Sequence, residues 1–285
     1  MDLARSQEEL QKLLNSNKIK GSSLGFVPTM GALHKGHLSL CHVASRHAER
    51  VCASIFINPR QFGPGEDLAT YPQDTQADLA KLEGAGVDLC YLPIPEDIYP
   101  LGYSTTVDVG PVARPLDGSS RPSFFSGIAT VVTKLFNRVR PDVAVFGEKD
   151  YQQLLVIRRL VADLDLGVKI VGAPIVREED GLAMSSRNRY LTPPERRIAG
   201  ELNQIMAKTC QRIEGGVPAP AALAQGREDL EAAGLRPVDY FELRSSVDLS
   251  PMPERELRRT EMEEARLFAA VMLGRTRLID NMPVV

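Results

Sequence analysis

Five short apolar runs recur along the chain: LGFVP (24–28), VCASIFI (51–57), VDLCYL (87–92), DVAVFG (142–147) and VKIVGAP (168–174). Each is continuous rather than alternating, which is the pattern of a strand buried on both faces. Stretches with apolar residues at helical spacing lie between them, at 36–49, 74–84, 127–139 and 150–163. Strand alternating with helix predicts a parallel sheet covered by helices on both sides, an α/β, Rossmann-like doubly wound fold.

The pattern changes after about residue 180. TPPERRIAGELNQIMAKTCQRIEGG begins with prolines suited to a first helical turn and stops at a glycine pair, which predicts one long amphipathic helix. A second helix is expected over 219–233, ending at Gly234. PVDYFELRS, ARLFAAVML and TRLID then read as short strands of an antiparallel sheet. The expected organisation is therefore a Rossmann-like domain over 1–181 and a smaller C-terminal α+β domain over 182–285.

Composition narrows the function. With 285 residues, 43% hydrophobic and 25% charged, the chain has the balance of an ordinary globular protein. A net charge of −3 provides no general basic field, so neither nucleic acid nor an anionic membrane is an expected partner. The start, MDLARSQEELQKLL, is charged and lacks the apolar core of a signal peptide, and no later stretch has about 20 uncharged residues. A cytoplasmic protein is expected. Cys41, Cys52, Cys90 and Cys210 are scattered without a C-x-x-C pair, so they read as buried thiols rather than a zinc or disulfide framework.

In a parallel sheet ligands bind beyond the carboxyl ends of the strands. Those ends read PTMGALHKGH, NPRQFGPGEDL and GEKDYQQ, each rich in glycine and polar groups. Some familiar motifs fail on context. Gly21-Ser22-Ser23-Leu24-Gly25 matches G-x-S-x-G but precedes a strand, and no acid lies between Ser23 and the last histidine, so it is not a nucleophile elbow. Neither G-x-G-x-x-G nor G-x-x-x-x-G-K-[ST] occurs. All four histidines, 34, 37, 42 and 47, fall close together, yet one helix cannot converge all four on a metal ion. His42 and His47 read as surface or half-buried side chains.

His34 and His37 are different, because they sit where a strand ends and a helix begins. Orphan N–H groups and the helix dipole favour an anion there, and two imidazoles on one face add donors. Gly31 and Gly36 remove side chains where a nucleotide can lie against the backbone. Downstream, DGLAMSSRNRYL (180–191) gathers hydroxyls, Arg187 and Arg189 in a small polar loop able to wrap a polyphosphate.

H-x-G-H paired with a later M-S-S-R resembles the signatures of the nucleotidylyltransferase superfamily. PTMGALHKGH, INPRQFGPGEDLATYP, ATVVTKLFNRVRPDVAVFGEKDYQQL and DGLAMSSRNRYL together resemble, in order and spacing, the pantothenate synthetase (pantoate–beta-alanine ligase) family. The resemblance implies that ATP adenylates (R)-pantoate with release of pyrophosphate, and that β-alanine then displaces AMP. It also implies an ATP segment from Met30 through Gly31, Ala32, Leu33, His34, Lys35 and Gly36 to His37, with His37 as proton donor and His34 beside it on the phosphates. Gly147, Glu148, Lys149 and Asp150 match a second ATP segment, in which Lys149 supplies charge to phosphate oxygens and Asp150 binds ribose or the metal–nucleotide. Met184, Ser185, Ser186 and Arg187 match a third, and Val176 is expected to contact adenine through its backbone. Gln61 and Gln153 match the pantoate contacts, Gln61 also lies near β-alanine, and Asn58 is close by. Mg²⁺ is expected with ATP, and a homodimer is implied by resemblance alone.

One segment departs from the family. Where it usually shows R-P-G-H-F-R-G, this chain reads RPSFFSG (121–127), with Phe124 at the histidine position and Ser126 at the arginine position. The roles of those two side chains do not transfer, although Arg121 is retained. Two other readings stand beside a ligase. The first is a relative that transfers a nucleotidyl group to a phosphorylated acceptor; the paired glutamines, better matched to a carboxylic acid than to a phosphate, argue against it. The second is a nucleotide-binding regulator without turnover, for which the Phe124 change is the support.

Overall fold

The computed structural model describes residues 1–16 and 19–284. A three-residue strand that the apolar pattern does not announce, β1 (Asp2–Ala4), is followed by α1 (Gln7–Leu14), whose Ser6 cap accepts from the Glu9 N–H. The five apolar runs then fold as β2 (Leu24–Thr29), β3 (Arg50–Ile55), β4 (Leu89–Tyr91), β5 (Val143–Gly147) and β6 (Lys169–Ala173). Between them run α2 (Lys35–His47), α3 (Thr75–Gly84), the short α4 (Pro95–Ile98) and α5 (Asp117–Ser120), α6 (Phe124–Val139) and α7 (Tyr151–Asp163).

All six strands are parallel, in the order β1-β4-β3-β2-β5-β6. The chain leaves β2 in one direction for β3 and β4, then returns to lay β5 on the other side of β2. The reversal puts a topological switch point between the carboxyl ends of β2 and β5, where a doubly wound sheet opens a crevice for ligands. Period-two alternation sends Phe26 to one face, with Leu89, Phe136 and Ile157, and Val27 to the other, with Leu33, Cys41 and Val145.

The second part of the chain forms α8 (Pro193–Ala199), α9 (Glu201–Glu214), α10 (Ala219–Ala232), β7 (Val238–Ser245), α11 (Arg259–Glu263), β8 (Ala265–Leu273) and β9 (Thr276–Pro283). Its three strands are antiparallel in sequence order, and they share a core with α9 and α10 through Leu202, Met206, Leu230, Phe241 and Leu267. The single long helix expected from residue 193 is instead two. Gly200 keeps helical dihedrals, but a Cβ there would lie 2.7 Å from Asp180 Oδ2, so the residue is glycine for close approach, at the cost of helix propensity.

Two compact units emerge, one comprising Met1–Glu148 and Gln152–Pro174, the other Lys149–Tyr151 and Ile175–Val285. The second thus begins earlier than residue 182. The reason is local: Arg177 pairs with Ala183 as a β-bridge and binds Asp280 of β9 through its guanidinium, which ties the segment to the antiparallel sheet.

Candidate active site

In the first unit, the loop from β2 into α2 turns through Gly31 (φ +84°) and Ala32 (φ +51°). Left-handed backbone at alanine is unfavourable, so something must hold it. Asp78 of α3, 1% exposed, does so: its carboxylate accepts the N–H of Ala32 at 2.7 Å and of Leu33 at 2.8 Å. Lys81 neutralises that carboxylate at 3.3 Å and donates to the Leu33 carbonyl at 2.9 Å. A Cβ on Gly31 would lie 3.1 Å from Asp78 Oδ2, so this glycine serves the loop's own shape. Ala32 and Leu33, with buried side chains and engaged N–H groups, shape the bed. The partly or fully exposed residues of the segment are Met30, His34, Lys35, Gly36 and His37.

The two histidines form an unusual helix start. His34 is the N-cap of α2 and its Nδ1 accepts from the Gly36 N–H at 3.1 Å, while His37 Nδ1 accepts from the His34 N–H at 3.3 Å. These are the roles commonly held by Ser or Thr and by Glu or Gln in a capping box. The ring centroids are 4.0 Å apart. In the neutral imidazole an accepting Nδ1 leaves the proton on Nε2, so each Nε2 is an N–H donor at the start of the helix. His42 and His47 are exposed further along the same helix.

Beyond β3, Asn58 caps a 3-10 turn, Pro59–Gln61. Asn58, expected close to the pantoate contacts, is 1% exposed, with both ends of its amide bonded to protein groups. Gln61 is half-buried, and its backbone carbonyl accepts from Arg121 Nη2 at 2.9 Å. Arg121 also forms a two-point ion pair with Glu66 at 2.7 and 2.5 Å, and its guanidinium lies 3.6 Å from the Phe124 ring centroid. Phe124 is therefore a stacking plate for Arg121. Ser126 donates its hydroxyl to the Ser123 carbonyl at 2.9 Å in the first turn of α6.

β5 delivers Gly147 and Glu148 to the same edge of the sheet, and α7 carries the glutamine pair. Gln152 is 5% exposed and bonds Val112, Pro115 and Asp117, whereas Gln153 is half-buried with no hydrogen-bond partner among the described residues. Adjacent identical side chains thus separate into a structural amide and a free one. The carboxyl edges of β2, β3 and β5 together hold His34, His37, Gln61 and Glu148.

In the second unit, Lys149 is anchored through its carbonyl, which accepts from Asn281 Nδ2 at 2.9 Å, and its ammonium lies 3.5 Å from Asp150 Oδ1. The Tyr151 hydroxyl donates to the Ser246 carbonyl at 3.1 Å, beneath the Arg266 guanidinium at 4.0 Å. The Val176–Met184 segment is a hairpin: the Met184 N–H donates to the Val176 carbonyl at 2.9 Å, and Arg177 grips Asp280 at 2.6 and 3.0 Å. Ser185 caps the 3-10 turn Ser186–Tyr190 by accepting from the Arg187 N–H at 3.3 Å; Ser186 is 7% exposed and Arg187 half-buried. Asp180 pairs with Arg196, whose hydrogen bond holds its carboxyl below the usual range.

Burial raises the thiols of Cys41 to about 11 and of Cys90 and Cys210 to about 12, which leaves them unreactive at neutral pH. Among the described residues no group of three or more His, Cys, Asp or Glu side chains is arranged to hold a metal ion, and no helix is long and apolar enough to cross a membrane. Sequence reading missed Asp78, Lys81, Tyr99, Asp280 and Asn281. Asp78 and Lys81 have the spacing of a solvated helical ion pair, and nothing in the pattern marks the carboxylate as buried.

A family model described as pantoate-beta-alanine ligase matches residues 2–283. The pantothenate synthetase of Rhodospirillum rubrum is 51% identical over 284 residues, covering 100% of this chain and 99% of that one. That of Novosphingobium aromaticivorans is 49% identical over 281 residues, covering 97% and 96%. The crystal structure of pantothenate synthetase from Thermus thermophilus superposes with a TM-score of 0.91 at 44% identity, covering 100% of this chain and 99% of that chain. A pantoate-beta-alanine ligase from Francisella tularensis, complexed with beta-gamma ATP and beta-alanine, superposes with a TM-score of 0.83 at 34% identity, covering 100% and 98%. The match runs over nearly the whole chain in sequence and in fold: the chain belongs to the pantoate–beta-alanine ligase family.

Proposed function

We propose that this enzyme condenses (R)-pantoate with β-alanine at the expense of ATP, through a pantoyl adenylate. The observation that carries the reading is the carboxyl edge of the first sheet. Two imidazoles there cap a helix that opens toward an anion, beside two glutamines that suit a small hydroxy acid.

In the first step a carboxylate oxygen of pantoate attacks the α-phosphorus of ATP, the bond to the bridging oxygen breaks, and pyrophosphate leaves. Such an in-line transfer needs positioning and charge stabilisation rather than covalent help from the protein. His34 and His37 donate Nε2–H hydrogen bonds to phosphate oxygens, which refines the expected proton donor into a donor of hydrogen bonds. Lys149 adds a point charge, Asp150 meets the ribose or the metal–nucleotide, and Ser185, Ser186 and Arg187 hold the polyphosphate. Gln61 and Gln153 orient the acid. In the second step the amine nitrogen of β-alanine attacks the acyl carbon, the C–O bond to AMP breaks, and the nitrogen releases its protons to solvent or a base. Mg²⁺ would enter with the nucleotide, held mainly by phosphate oxygens and water with Asp150 as a nearby carboxylate, and would supply charge neutralisation to the phosphates. Family likeness also supports a cytoplasmic homodimer, which sedimentation of the purified protein checks.

The test is isotope exchange between pyrophosphate and ATP. Exchange that requires pantoate, with AMP as the nucleotide product of the full reaction, is expected. Formation of ADP rules out the adenylate, and transfer to a phosphorylated acceptor without β-alanine favours a simple nucleotidyl transferase.

A further inference from the structure

The amide of Asn58 has an unambiguous orientation. Its oxygen accepts from the Tyr99 hydroxyl at 2.7 Å and from the Arg60 N–H at 3.3 Å. Its nitrogen donates to the Gly127 carbonyl at 3.2 Å and to Gln61 Oε1 at 2.9 Å. A backbone N–H can only donate and a carbonyl can only accept, so Arg60 and Gly127 fix which end is which. Rotating the amide would set nitrogen against N–H and oxygen against carbonyl. The surroundings leave no room for another arrangement: a Cβ on Gly127 would lie 2.1 Å from the Arg60 carbonyl oxygen, so the first turn of α6 sits directly on the 3-10 turn.

The orientation passes to Gln61. With Oε1 turned to receive the Asn58 N–H, its Nε2 faces away and has no partner among the described residues, while Arg121 fastens the Gln61 carbonyl. Tyr99 is held in turn by Phe56 and Tyr103, with ring centroids 6.4 and 5.1 Å away, and its phenol is pushed above the usual range by burial, so it stays a donor.

We propose that Tyr99 is a positioning residue that acts through Asn58 to hold Gln61 as a hydrogen-bond donor, so that Gln61 reads the carboxylate of the hydroxy acid rather than the proton of its hydroxyl. The inference rests on Gln61 as a pantoate contact and adds what aims it. Tyr99→Phe keeps the ring and removes the hydroxyl, leaving the Asn58 oxygen only the longer Arg60 N–H and so loosening the Asn58 amide, and Gln61 with it, without reversing it.

The experiment is a double-mutant cycle on Tyr99→Phe and Gln61→Ala, read as KM for pantoate and for ATP in the exchange assay together with Tm. Tyr99→Phe is expected to raise the pantoate KM about tenfold, the scale of one well-placed hydrogen bond, with the ATP KM changed less than about twofold. In the Gln61→Ala background it is expected to add nothing. An equal rise in both backgrounds overturns the relay, because Tyr99 then acts on the fold. A pantoate KM that responds to Gln61→Ala but not to Tyr99→Phe overturns the relay while the reading of Gln61 stands. If Gln61→Ala itself leaves the pantoate KM unchanged, that reading fails and the relay with it. A measurement on the unaltered protein covers a variant that does not fold: the Asn58 side-chain amide protons are expected to exchange with solvent more slowly than those of Gln61, and equal rates overturn the proposal.

Discussion

The two loops proposed to hold ATP each hang from a buried aspartate contributed by a later element, but the carboxylates grip different things. Asp78 takes the backbone of the first loop itself, at Ala32 and Leu33. Asp280, whose side chain is 1% exposed, takes the guanidinium of Arg177 and the N–H of its neighbour Asn281. The first loop is consequently set residue by residue, including a left-handed alanine that would otherwise be disfavoured. In the second, Asp280 fixes the hairpin that precedes Met184, and the turn carrying Ser186 and Arg187 depends on its own Ser185 cap and on Asn188 Nδ2, which donates to the Ala183 carbonyl at 3.2 Å. The difference teaches that a short motif can be built by direct backbone capture or by anchoring the strand that leads into it, and only the first makes the anchor part of the loop's own geometry.

Substitution of the two aspartates tests that contrast most severely. Asp78→Ala leaves Lys81 and two buried N–H groups without their acceptor, so it is expected to cost about 3–4 kcal/mol in chemical denaturation and to raise the ATP KM about tenfold or more. Asp280→Ala is expected to cost about 2–3 kcal/mol, since Arg177 is partly solvated, while raising the ATP KM only about two- to threefold. Equal changes in ATP KM would break the comparison. Gly31→Ala probes the same loop more gently: with φ at +84° and Asp78 Oδ2 3.1 Å from the new methyl, it is expected to lose about 1–2 kcal/mol.

The smallest effect is one of pH. The Arg196 hydrogen bond holds the Asp180 carboxyl below the usual carboxylate range, so the pair's contribution is fully present above that range and is lost as pH falls through the lowered folded value. Both side chains are more than a third exposed, and solvent screening limits the contribution to less than about 0.5 kcal/mol. Thermal denaturation of Arg196→Ala against the unaltered protein is expected to show its difference at pH 6 and to lose it at strongly acidic pH.

Much of the first domain was legible because its strands are buried on both faces. Continuous apolar runs located β2 to β6, whereas β1, three residues long, has too few positions to show a period. The split at Gly200 was not legible either, because the apolar spacing runs through it unbroken; the approach of Asp180 accounts for the glycine. At the site, spacing identified His34 and His37 as a pair distinct from His42 and His47. It could not show that the Asn58 amide is bonded at both ends while the Nε2 of Gln61, three residues on, has no partner among the described residues, or that Gln152 and Gln153 divide in the same way.

The sequence alone determined the order of strands and helices, the glycine and histidine punctuation at the strand ends, and the family. These are local properties, carried by period and by motif. Tertiary structure decided which polar groups are occupied. Ala32 and Asp78 lie 46 positions apart, Asn58 and Tyr99 41, and Arg177 and Asp280 103, separations across which no spacing rule operates. A buried donor or acceptor must find a partner wherever folding brings one. Those long-range pairings occupy both ends of the Asn58 amide and turn the Nε2 of Gln61 away from it.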